Sequence, residues 1–290
     1  MIDLHTHSNI SDGELSPAML INEAAKMGLS GIALTDHDTI KGIENAKNAA
    51  DSLENFHFIP GIEINISWTG RKGIPRLGPG GEFHLLGLGI RNPSAAFISA
   101  VDGLFRRREK RNREMLDRMH EFNIEATWEE LAALSGGHAI GRPHFAALLI
   151  KHNVVKNVQQ AFSRYLGVGK PFYVPKEGLL FEEATALIRE SGGIPILAHP
   201  ISLFVAWGRL PNLVKTLKDM GLMGLEAWHP TAKQSACRRL EALGKSLGLY
   251  ITEGSDFHGS LRPDRMLGYS GKDRKISETV LQAIPELNLS

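Results

Sequence analysis

Apolar and polar residues alternate along the chain with two different periods, one helical and one extended. The first helical stretch follows Ser16 and Pro17, an N-cap residue and a proline at the first helical position. Its apolar residues recur every three or four positions up to Gly28, which predicts a helix over residues 17 to 27. Short continuous apolar runs, which predict buried strands, separate this helix from those that follow.

Strand-like runs and helical stretches take turns in two parts of the chain. In the first third they predict strands at 31 to 35 and 58 to 64 around a helix at 43 to 53. In the last 110 or so residues they predict, in order, helix 181 to 191, strand 194 to 198, helix 211 to 220, strand 224 to 228, helix 232 to 247 and strand 249 to 252. Repeated strand–helix units predict a parallel sheet, open or closed into a barrel.

One interruption of this alternation is rich in glycine and proline. Residues 69 to 82 have this composition, which predicts a loop between Glu63 and the strand that carries His84. The loop could form a floppy hairpin or a lid.

A longer interruption lacks strand signals but contains helical patterns. It covers residues 95 to 176 and includes a basic run at 105 to 113, which is typical of a largely solvated helix surface. We therefore expect a helical subdomain at 95 to 176, inserted into a barrel domain formed by residues 1 to 94 and 177 to 290 and lying over its active site.

Composition limits the class of protein. With 290 residues, 42% hydrophobic and 22% charged, the chain can bury one large core or a core plus a small appended domain. Its 33 basic and 32 acidic residues nearly cancel, which argues against whole-molecule attraction to nucleic acid or membrane. Because the sequence opens without a leader-like segment and has no apolar stretch near the roughly 20 residues of a membrane span, we expect a cytoplasmic protein. The single cysteine, Cys237, excludes an internal disulfide and thiolate clusters.

Histidines and acids fall in short clusters, most of them directly after an apolar run. His5 and His7 stand two residues apart in an extended segment, so both imidazoles can reach one ion, and Asp256 and His258 repeat this spacing. The other clustered residues are Asp36, His37, Asp38, Glu63, His84 and His199. Mixed imidazole and carboxylate donors favour several divalent cations and hydrolysis over a zinc finger. Because strand ends of a (β/α) barrel meet at one face, the clusters also favour a barrel.

In these clusters the chain resembles the PHP (polymerase and histidinol phosphatase) superfamily of metal-dependent phosphoesterases, over nearly its whole length. Three motifs are similar to the branch that contains the nucleoside 3',5'-bisphosphate phosphatases and ribonuclease AM, a 5'-to-3' exoribonuclease: Gly141-Arg142-Pro143-His144-Phe145-Ala146, Tyr165-Leu166-Gly167 with Lys170-Pro171, and Gly254-Ser255-Asp256-Phe257-His258-Gly259. The resemblance implies an α/β fold, a distorted (β/α)7 barrel of the PHP type with a helical insertion subdomain.

The resemblance also implies a trinuclear site with two to three divalent ions, Mn, Fe or Zn. Nine positions carry suitable ligand types: His5, His7, Asp12, His37, Glu63, His84, His199, Asp256 and His258. The implied ligand sets are His5, His7, Glu63 and Asp256 for one ion, Glu63, His84 and His199 for a second, and Asp12, His37 and His258 for a third. Four other histidines lie outside any cluster and are expected at the surface or packed: His57, His120, His138 and His152.

The sequence departs from the family pattern in two places. One is the long loop before His84. The other follows His229, where the resemblance leads us to expect a further histidine and the chain has Thr231, Ala232 and Lys233.

Catalytic roles are expected for His199, His229 and Asp36. Asp36 would orient a histidine through its free ring nitrogen, and His229, rather than the ligand His199, would donate a proton to the leaving oxygen. Arg142 is the candidate phosphate-binding residue, because a guanidinium group matches phosphate with two parallel hydrogen bonds and a helix begins beside it. His144 and Lys170 would assist substrate binding.

The expected reaction is hydrolysis of nucleotide phosphate esters by hydroxide that the metals generate, with a 3',5'-nucleoside bisphosphate or 5'-phosphorylated short RNA as substrate. Three alternatives stay open: a phosphatase of histidinol phosphate or another small molecule, an amidohydrolase acting on a C–N bond, and a non-hydrolytic metal-binding module. The expected partners are the nucleotide or RNA substrate, with no membrane and no obligate protein partner.

Overall fold

A computed structural model describes residues 1–68, 77–78, 81–135 and 140–287. Most of the predicted loop at 69 to 82 and all of His138 lie outside these residues. Among the described residues, no helix is both long enough and apolar enough to cross a membrane.

The main sheet contains seven strands in chain order: β1 (Ile2–Thr6), β2 (Gly31–Leu34), β3 (His57–Asn65), β4 (His84–Leu88), β5 (Ile194–Leu197), β6 (Gly224–Trp228) and β7 (Tyr250–Glu253). The helices of the described chain are α1 (Pro17–Lys26), α2 (Ile43–Ala50), α3 (Ala95–His120), α4 (Trp128–Ser135), α5 (Arg142–Lys151), α6 (Val158–Ala161), α7 (Phe181–Glu190), α8 (Leu210–Asp219), α9 (Gln234–Ser246) and α10 (Thr279–Gln282). A two-stranded sheet pairs β8 (Tyr269–Gly271) with β9 (Arg274–Lys275). The α/β class is confirmed, and each strand and helix predicted above is present within about three residues of its predicted bounds.

The direction of β4 corrects the expectation of a fully parallel sheet. Pairs β1–β2, β2–β3, β5–β6 and β6–β7 are parallel, whereas β4 runs antiparallel to both β3 and β5. A parallel return needs a crossover, usually a helix, and the glycine- and proline-rich composition of residues 69 to 82 disfavours one. The chain therefore returns beside β3 in the opposite direction.

The segment after β7 pairs with the end of β1. The Asp256 backbone N–H donates to the His5 carbonyl (2.8 Å), and the His7 N–H donates to the Phe257 carbonyl (3.0 Å). Thr6 and Phe257 form a parallel bridge at the same place. The first and last strand ends of the sheet are thus joined by backbone hydrogen bonds.

Asp3 strengthens this junction from inside the protein. Its carboxylate is fully buried and accepts hydrogen bonds from the backbone N–H groups of His5 (3.3 Å), Ser255 (3.0 Å) and Gly268 (2.7 Å). Burial raises the pKa of Asp3 to about 6, although these hydrogen bonds act in the opposite direction. One acidic side chain therefore ties β1 to two segments near the other end of the chain.

The chain divides into two compact units, one formed by Met1–Asp102 with Gly178–Ser290 and the other by Gly103–Glu177. The core of the first unit contains apolar residues of β1, β4 and β5, such as Leu4, Leu86 and Ile196. The second unit has its own core, with Met115, Phe145 and Leu148 fully buried.

Within the second unit, the basic run is not entirely solvated. Arg111 is buried, and its Nε donates to the Val174 carbonyl (2.8 Å). Arg106, Lys110 and Arg113 are exposed, whereas Arg107 and Arg108 are half-buried. Arg113 pairs with Glu109 one turn away. About half of the cations in the run are therefore solvated, and Arg111 contributes to the packing of the unit.

Candidate metal centre

The predicted ligands collect at one edge of the main sheet. His5 and Glu63 belong to β1 and β3, and His37, His199 and Asp256 follow the ends of β2, β5 and β7. His84 begins β4, and because β4 is antiparallel, its first residue lies at the same edge as the last residues of its neighbours; His84 pairs with Asn65, the end of β3. The strand directions thus bring these side chains together.

The Glu63 carboxylate is the centre of this cluster. Its side chain is 1% exposed, and five histidine nitrogens lie within 3.3 Å of its oxygens. The distances are 2.8 Å from Oε1 to His84 Nδ1 and to His199 Nε2, and 3.0, 3.2 and 3.3 Å from Oε2 to His37 Nδ1, His7 Nε2 and His5 Nε2. One carboxylate therefore contacts histidines from β4 and from the ends of β1, β2 and β5.

Asp256 is a second shared carboxylate, and its two oxygens face different partners. Oδ1 lies 3.1 Å from His7 Nε2 and 3.4 Å from His258 Nδ1. Oδ2 lies 3.2 Å from His229 Nε2 and contacts Arg265 Nη1. The first oxygen therefore faces the ligand cluster, and the second is held by groups outside it.

Asp12 and His258 complete a third grouping. Asp12 Oδ1 lies 3.2 Å from His258 Nε2, and Oδ2 lies 3.8 Å from His37 Nε2. Among the described residues, three sets of donor atoms lie within 4.8 Å of one another: His7, Asp12, His37 and His258; His5, His7, Glu63 and Asp256; and His37, Glu63 and His84.

Buried atoms without hydrogen bonds show that this donor set fits metal ions. Glu63 Oε2, Asp12 Oδ1 and His84 Nε2 are buried and make no hydrogen bond to a described residue. Orphaned polar atoms are costly in a protein interior. The nitrogens 3.0 to 3.3 Å from Glu63 Oε2 are spaced as donors sharing one ion would be, because ligands about 2.1 Å from a tetrahedral ion stand about 3.4 Å apart.

Charges inside the cluster are strongly coupled. Burial alone would raise the pKa of the Glu63 carboxyl group, but the facing histidines hold it well below its ordinary value, and the same balance lowers the pKa of Asp256. Burial would lower the pKa of His7, but Asp256 and Glu63 raise it to about 9, whereas burial lowers the pKa of His37 to about 4. Because a ligating imidazole must be unprotonated, His7 would have to lose a proton in order to hold a metal ion.

The backbone at several of these positions is unusual. Asp38, His199 and Asp256 have φ angles of 54°, 25° and 52°, in the region that L-residues other than glycine rarely adopt. Each such residue costs on the order of 1–3 kcal/mol, which the surrounding structure must offset.

The structure gathers the predicted ligands with two differences in grouping. The set expected for the first ion comes together unchanged, and His7 joins the set expected for the third. In the second set His37, rather than His199, stands with Glu63 and His84, although His199 Nε2 remains within 2.8 Å of Glu63. The assignment of each residue to an ion stays a prediction.

Glu226 is a site residue that the sequence analysis missed. It is buried on β6; its Oε1 lies 2.9 Å from His5 Nδ1, and its Oε2 accepts the backbone N–H of His199 (2.7 Å). A carboxylate on Nδ1 fixes the His5 ring with Nε2 toward Glu63, as carboxylate partners of metal-bound histidines do. The sequence feature that could have identified Glu226 is that it is the only acid within the apolar run 224 to 228.

The contacts of Asp36 define how it could act on a histidine. It is buried and accepts hydrogen bonds from the Ser8 N–H (2.8 Å), the Ser8 hydroxyl (2.6 Å) and the Ser11 hydroxyl (2.6 Å). The Ser11 hydroxyl in turn lies 3.5 Å from His7 Nδ1. Asp36 would therefore orient His7 indirectly, by holding the Ser11 hydroxyl that faces the His7 ring.

His229 has a tautomer set by its surroundings. The Thr231 N–H donates to its Nδ1 (3.3 Å), so the ring hydrogen lies on Nε2, facing Asp256 Oδ2 at 3.2 Å. Of the two proton-donor candidates, His199 contacts Glu63 through Nε2 and Ser202 through Nδ1. The proton-donor role of either histidine stays a prediction.

The predicted substrate contacts belong to the second unit. Arg142 opens α5, and its guanidinium lies 5.6 Å from the ring centroid of Phe162. His144 Nδ1 accepts the Gly141 N–H (3.0 Å), and Lys170 is exposed beyond the π-helical turn Phe162–Leu166. Their roles toward substrate stay predictions.

The isolated histidines behave as expected where they are described. His57 is exposed on β3, His120 Nε2 lies 2.6 Å from the Ala126 carbonyl, and His152 Nε2 lies 3.0 Å from Glu130.

Comparison with known proteins identifies the family of this chain. The PHP domain model matches residues 3–175, and the chain belongs to this family. It is an enzyme of the metal-dependent phosphoesterase class.

Three relatives place it within the family. It is 34% identical over 256 residues to a 5'-3' exoribonuclease of Haemophilus influenzae, covering 88% of this chain and 89% of the relative. It is 30% identical over 270 residues to a 3',5'-nucleoside bisphosphate phosphatase of Chromobacterium violaceum, covering 93% and 91%. A crystal structure from Bifidobacterium adolescentis, described as a metal-dependent phosphoesterase, superposes with a TM-score of 0.81 at 25% identity, covering 100% and 96%.

The first prediction concerns the ligands. His7→Ala and Asp256→Ala should each reduce the bound Mn, Fe or Zn, measured by elemental analysis of purified protein, and should lower the melting temperature, because an ion that binds only the native state adds stability. His57→Ala, an exposed histidine outside the cluster, is the matched control and should change neither. Wild-type protein carrying less than about one ion per chain after Mn supplementation would contradict a site of two to three ions.

The second prediction concerns Glu226. Glu226→Gln removes the charge behind His5 but keeps the side-chain shape, so the affinity for Mn should fall by about 10- to 100-fold, measured by metal titration of the stripped protein. Glu190→Gln, at an exposed position of α7, should leave the affinity unchanged. An unaltered affinity in Glu226→Gln would mean that His5 is oriented by other contacts.

Proposed function

We propose that the chain hydrolyses phosphate esters of nucleotides, with a 3',5'-nucleoside bisphosphate or a 5'-phosphorylated short RNA as substrate. The observation that carries the proposal is the cluster of buried imidazole and carboxylate donors around Glu63 and Asp256. The names of the Haemophilus and Chromobacterium relatives support nucleotides as the substrate class. The proposal includes the distorted (β/α)7 barrel and two to three ions of Mn, Fe or Zn.

The site residues have distinct proposed roles in metal binding, phosphate binding and proton transfer. Divalent ions bound here would lower the pKa of a water molecule and so supply hydroxide at neutral pH. Glu63 and Asp256, as shared carboxylates, would fix the spacing of the donors. Glu226 would hold the His5 ring in the orientation needed for Nε2 to bind a metal ion. Arg142, assisted by His144 and Lys170, would neutralise substrate phosphate as charge develops. His229 is the proposed proton donor to the leaving oxygen.

The competing reactions share the same kind of centre. A histidinol-phosphate-type phosphatase or another small-molecule phosphatase would use the same metals, and so would an amidohydrolase. A substrate panel separates them. The cytoplasmic location and the lack of an obligate protein partner expected from the sequence stay predictions.

The third prediction is an order of substrates. With Mn supplied, kcat/KM should be at least about tenfold higher for a 3',5'-bisphosphate or a 5'-phosphorylated RNA than for the nucleoside monophosphate or histidinol phosphate. A second phosphate completes further charge-assisted hydrogen bonds, each contributing about 1.5–3 kcal/mol. Phosphate release and product analysis measure the order, and the reverse order would reject nucleotides while leaving metal-dependent phosphate ester hydrolysis intact.

The fourth prediction concerns Arg142. Arg142→Ala should retain the metals and lose about 10- to 1000-fold in kcat/KM, the range expected for one charged transition-state contact. Arg164→Ala offers a control, because Arg164 is an exposed arginine of the same unit. Near-wild-type kinetics in Arg142→Ala would place the phosphate contact elsewhere.

A further inference from the structure

The first unit contains a groove that no step of the proposed reaction uses. Its volume is about 360 Å³, and its lining includes Ile201, Trp207, Thr231, Lys233, Ser235 and Arg239. These residues come from the segments that follow β5 and β6, the same two strands whose ends carry His199 and His229. The groove therefore opens at the edge of the sheet where the metal ligands lie.

Short contacts connect the groove to the metal centre. The Thr231 hydroxyl lies 2.7 Å from His229 Nδ1, and His229 Nε2 lies 3.2 Å from Asp256 Oδ2. On the other wall, Ile201 stands in the 3-10 turn that begins directly after His199. Ile201 and Thr231 thus stand two residues beyond His199 and His229 along the chain, which places the groove beside the metal centre.

The charged residues that line the groove are both basic. Lys233 and Arg239 are exposed, and neither forms an ion pair with a described residue, whereas Lys215 and Lys245 elsewhere on the unit each pair with an acid one turn away. Among the described residues, the groove lining contains no acid, and the exposed Ser235 adds a hydroxyl group. Cations without an acidic partner beside a hydroxyl donor suit a phosphate group.

An aromatic ring accompanies these cations. The Arg239 guanidinium lies 4.1 Å from the ring centroid of Trp207, a cation–π contact that holds it at the groove. An indole ring and a guanidinium plane are the surfaces on which nucleobases stack in single-stranded nucleic-acid sites. Phosphate-binding cations together with a stacking surface are the chemistry of a nucleotide rather than of a phosphate alone.

We propose that this groove binds the nucleotide that follows the scissile phosphate, with Lys233 and Arg239 on its phosphodiester or phosphate oxygens and Trp207 beside its base. The proposal rests on the proposed function in one respect, since the scissile phosphate is taken to lie at the metal centre. It makes a short RNA the substrate that fills the site, because a mononucleotide bisphosphate has no second base.

The fifth prediction tests the cations by substrate length. The double variant Lys233→Gln/Arg239→Gln should lose at least about 10- to 100-fold in kcat/KM for a 5'-phosphorylated dinucleotide, because it removes two cations and a single charge-assisted contact already corresponds to that factor. The same variant should act on a mononucleotide 3',5'-bisphosphate within about twofold of wild type. Arg238→Gln changes an exposed arginine next to Arg239 that does not line the groove, and it should leave both substrates unaffected.

Two kinetic outcomes would overturn the proposal. An equal loss on the dinucleotide and the bisphosphate would mean that the groove holds a phosphate and no second nucleotide. A double variant indistinguishable from Arg238→Gln would mean that the groove does not contact substrate. Retained metal content and melting temperature exclude a folding defect as the cause.

A binding measurement separates this proposal from the proposed function. Tryptophan fluorescence of the Mn-loaded protein is titrated with an uncleavable dinucleotide that has a methylene group in place of a bridging oxygen, and Trp207→Phe identifies the quenching due to that ring. Quenching that disappears in Trp207→Phe supports the groove even if no nucleotide is hydrolysed, in which case only the proposed function fails. Hydrolysis of RNA without quenching from Trp207 overturns the groove alone.

Discussion

The buried carboxylate of Glu63, with five histidine nitrogens around it, is the interaction on which the site depends. An ionised carboxylate in a protein interior is unfavourable unless charge or hydrogen bonds compensate it. Here the compensation comes from side chains carried by β1, β4 and the turns after β2 and β5. The sheet therefore has to bring these strand ends together before the charge of Glu63 can be accommodated.

Residues outside the donor sets also compensate and orient the buried groups of the site. Glu226 fixes His5 from behind, and Arg265 with His229 occupies the second oxygen of Asp256. Asp3 meanwhile joins β1 to the segment that carries Asp256 through backbone hydrogen bonds. His5 and Asp256 are thus each oriented by partners that do not themselves belong to the donor sets, which limits how far these two ligands can relax.

The local patterns of the sequence were sufficient for most elements and for the identity of the clustered residues. Ser16 and Pro17 marked the start of α1, and the spacing of His5 and His7 indicated two donors on one face. The direction of β4 could not be predicted, because apolar periodicity is the same for a parallel and an antiparallel strand. Glu226 escaped notice for a similar reason: a single acid in an apolar run has no periodic signature, and its partners lie 221 and 27 residues away along the chain.

The left-handed backbone at His199 and Asp256 limits how this centre could evolve toward other metals. Histidine, aspartate and asparagine tolerate positive φ better than other residues with side chains, whereas β-branched and bulky residues do so poorly. Exchange at these two positions is therefore easiest between imidazole and short carboxylate or amide donors. The chain could shift its preference between borderline and harder divalent ions by such exchanges, but a longer donor such as glutamate would have to arise elsewhere in the cluster.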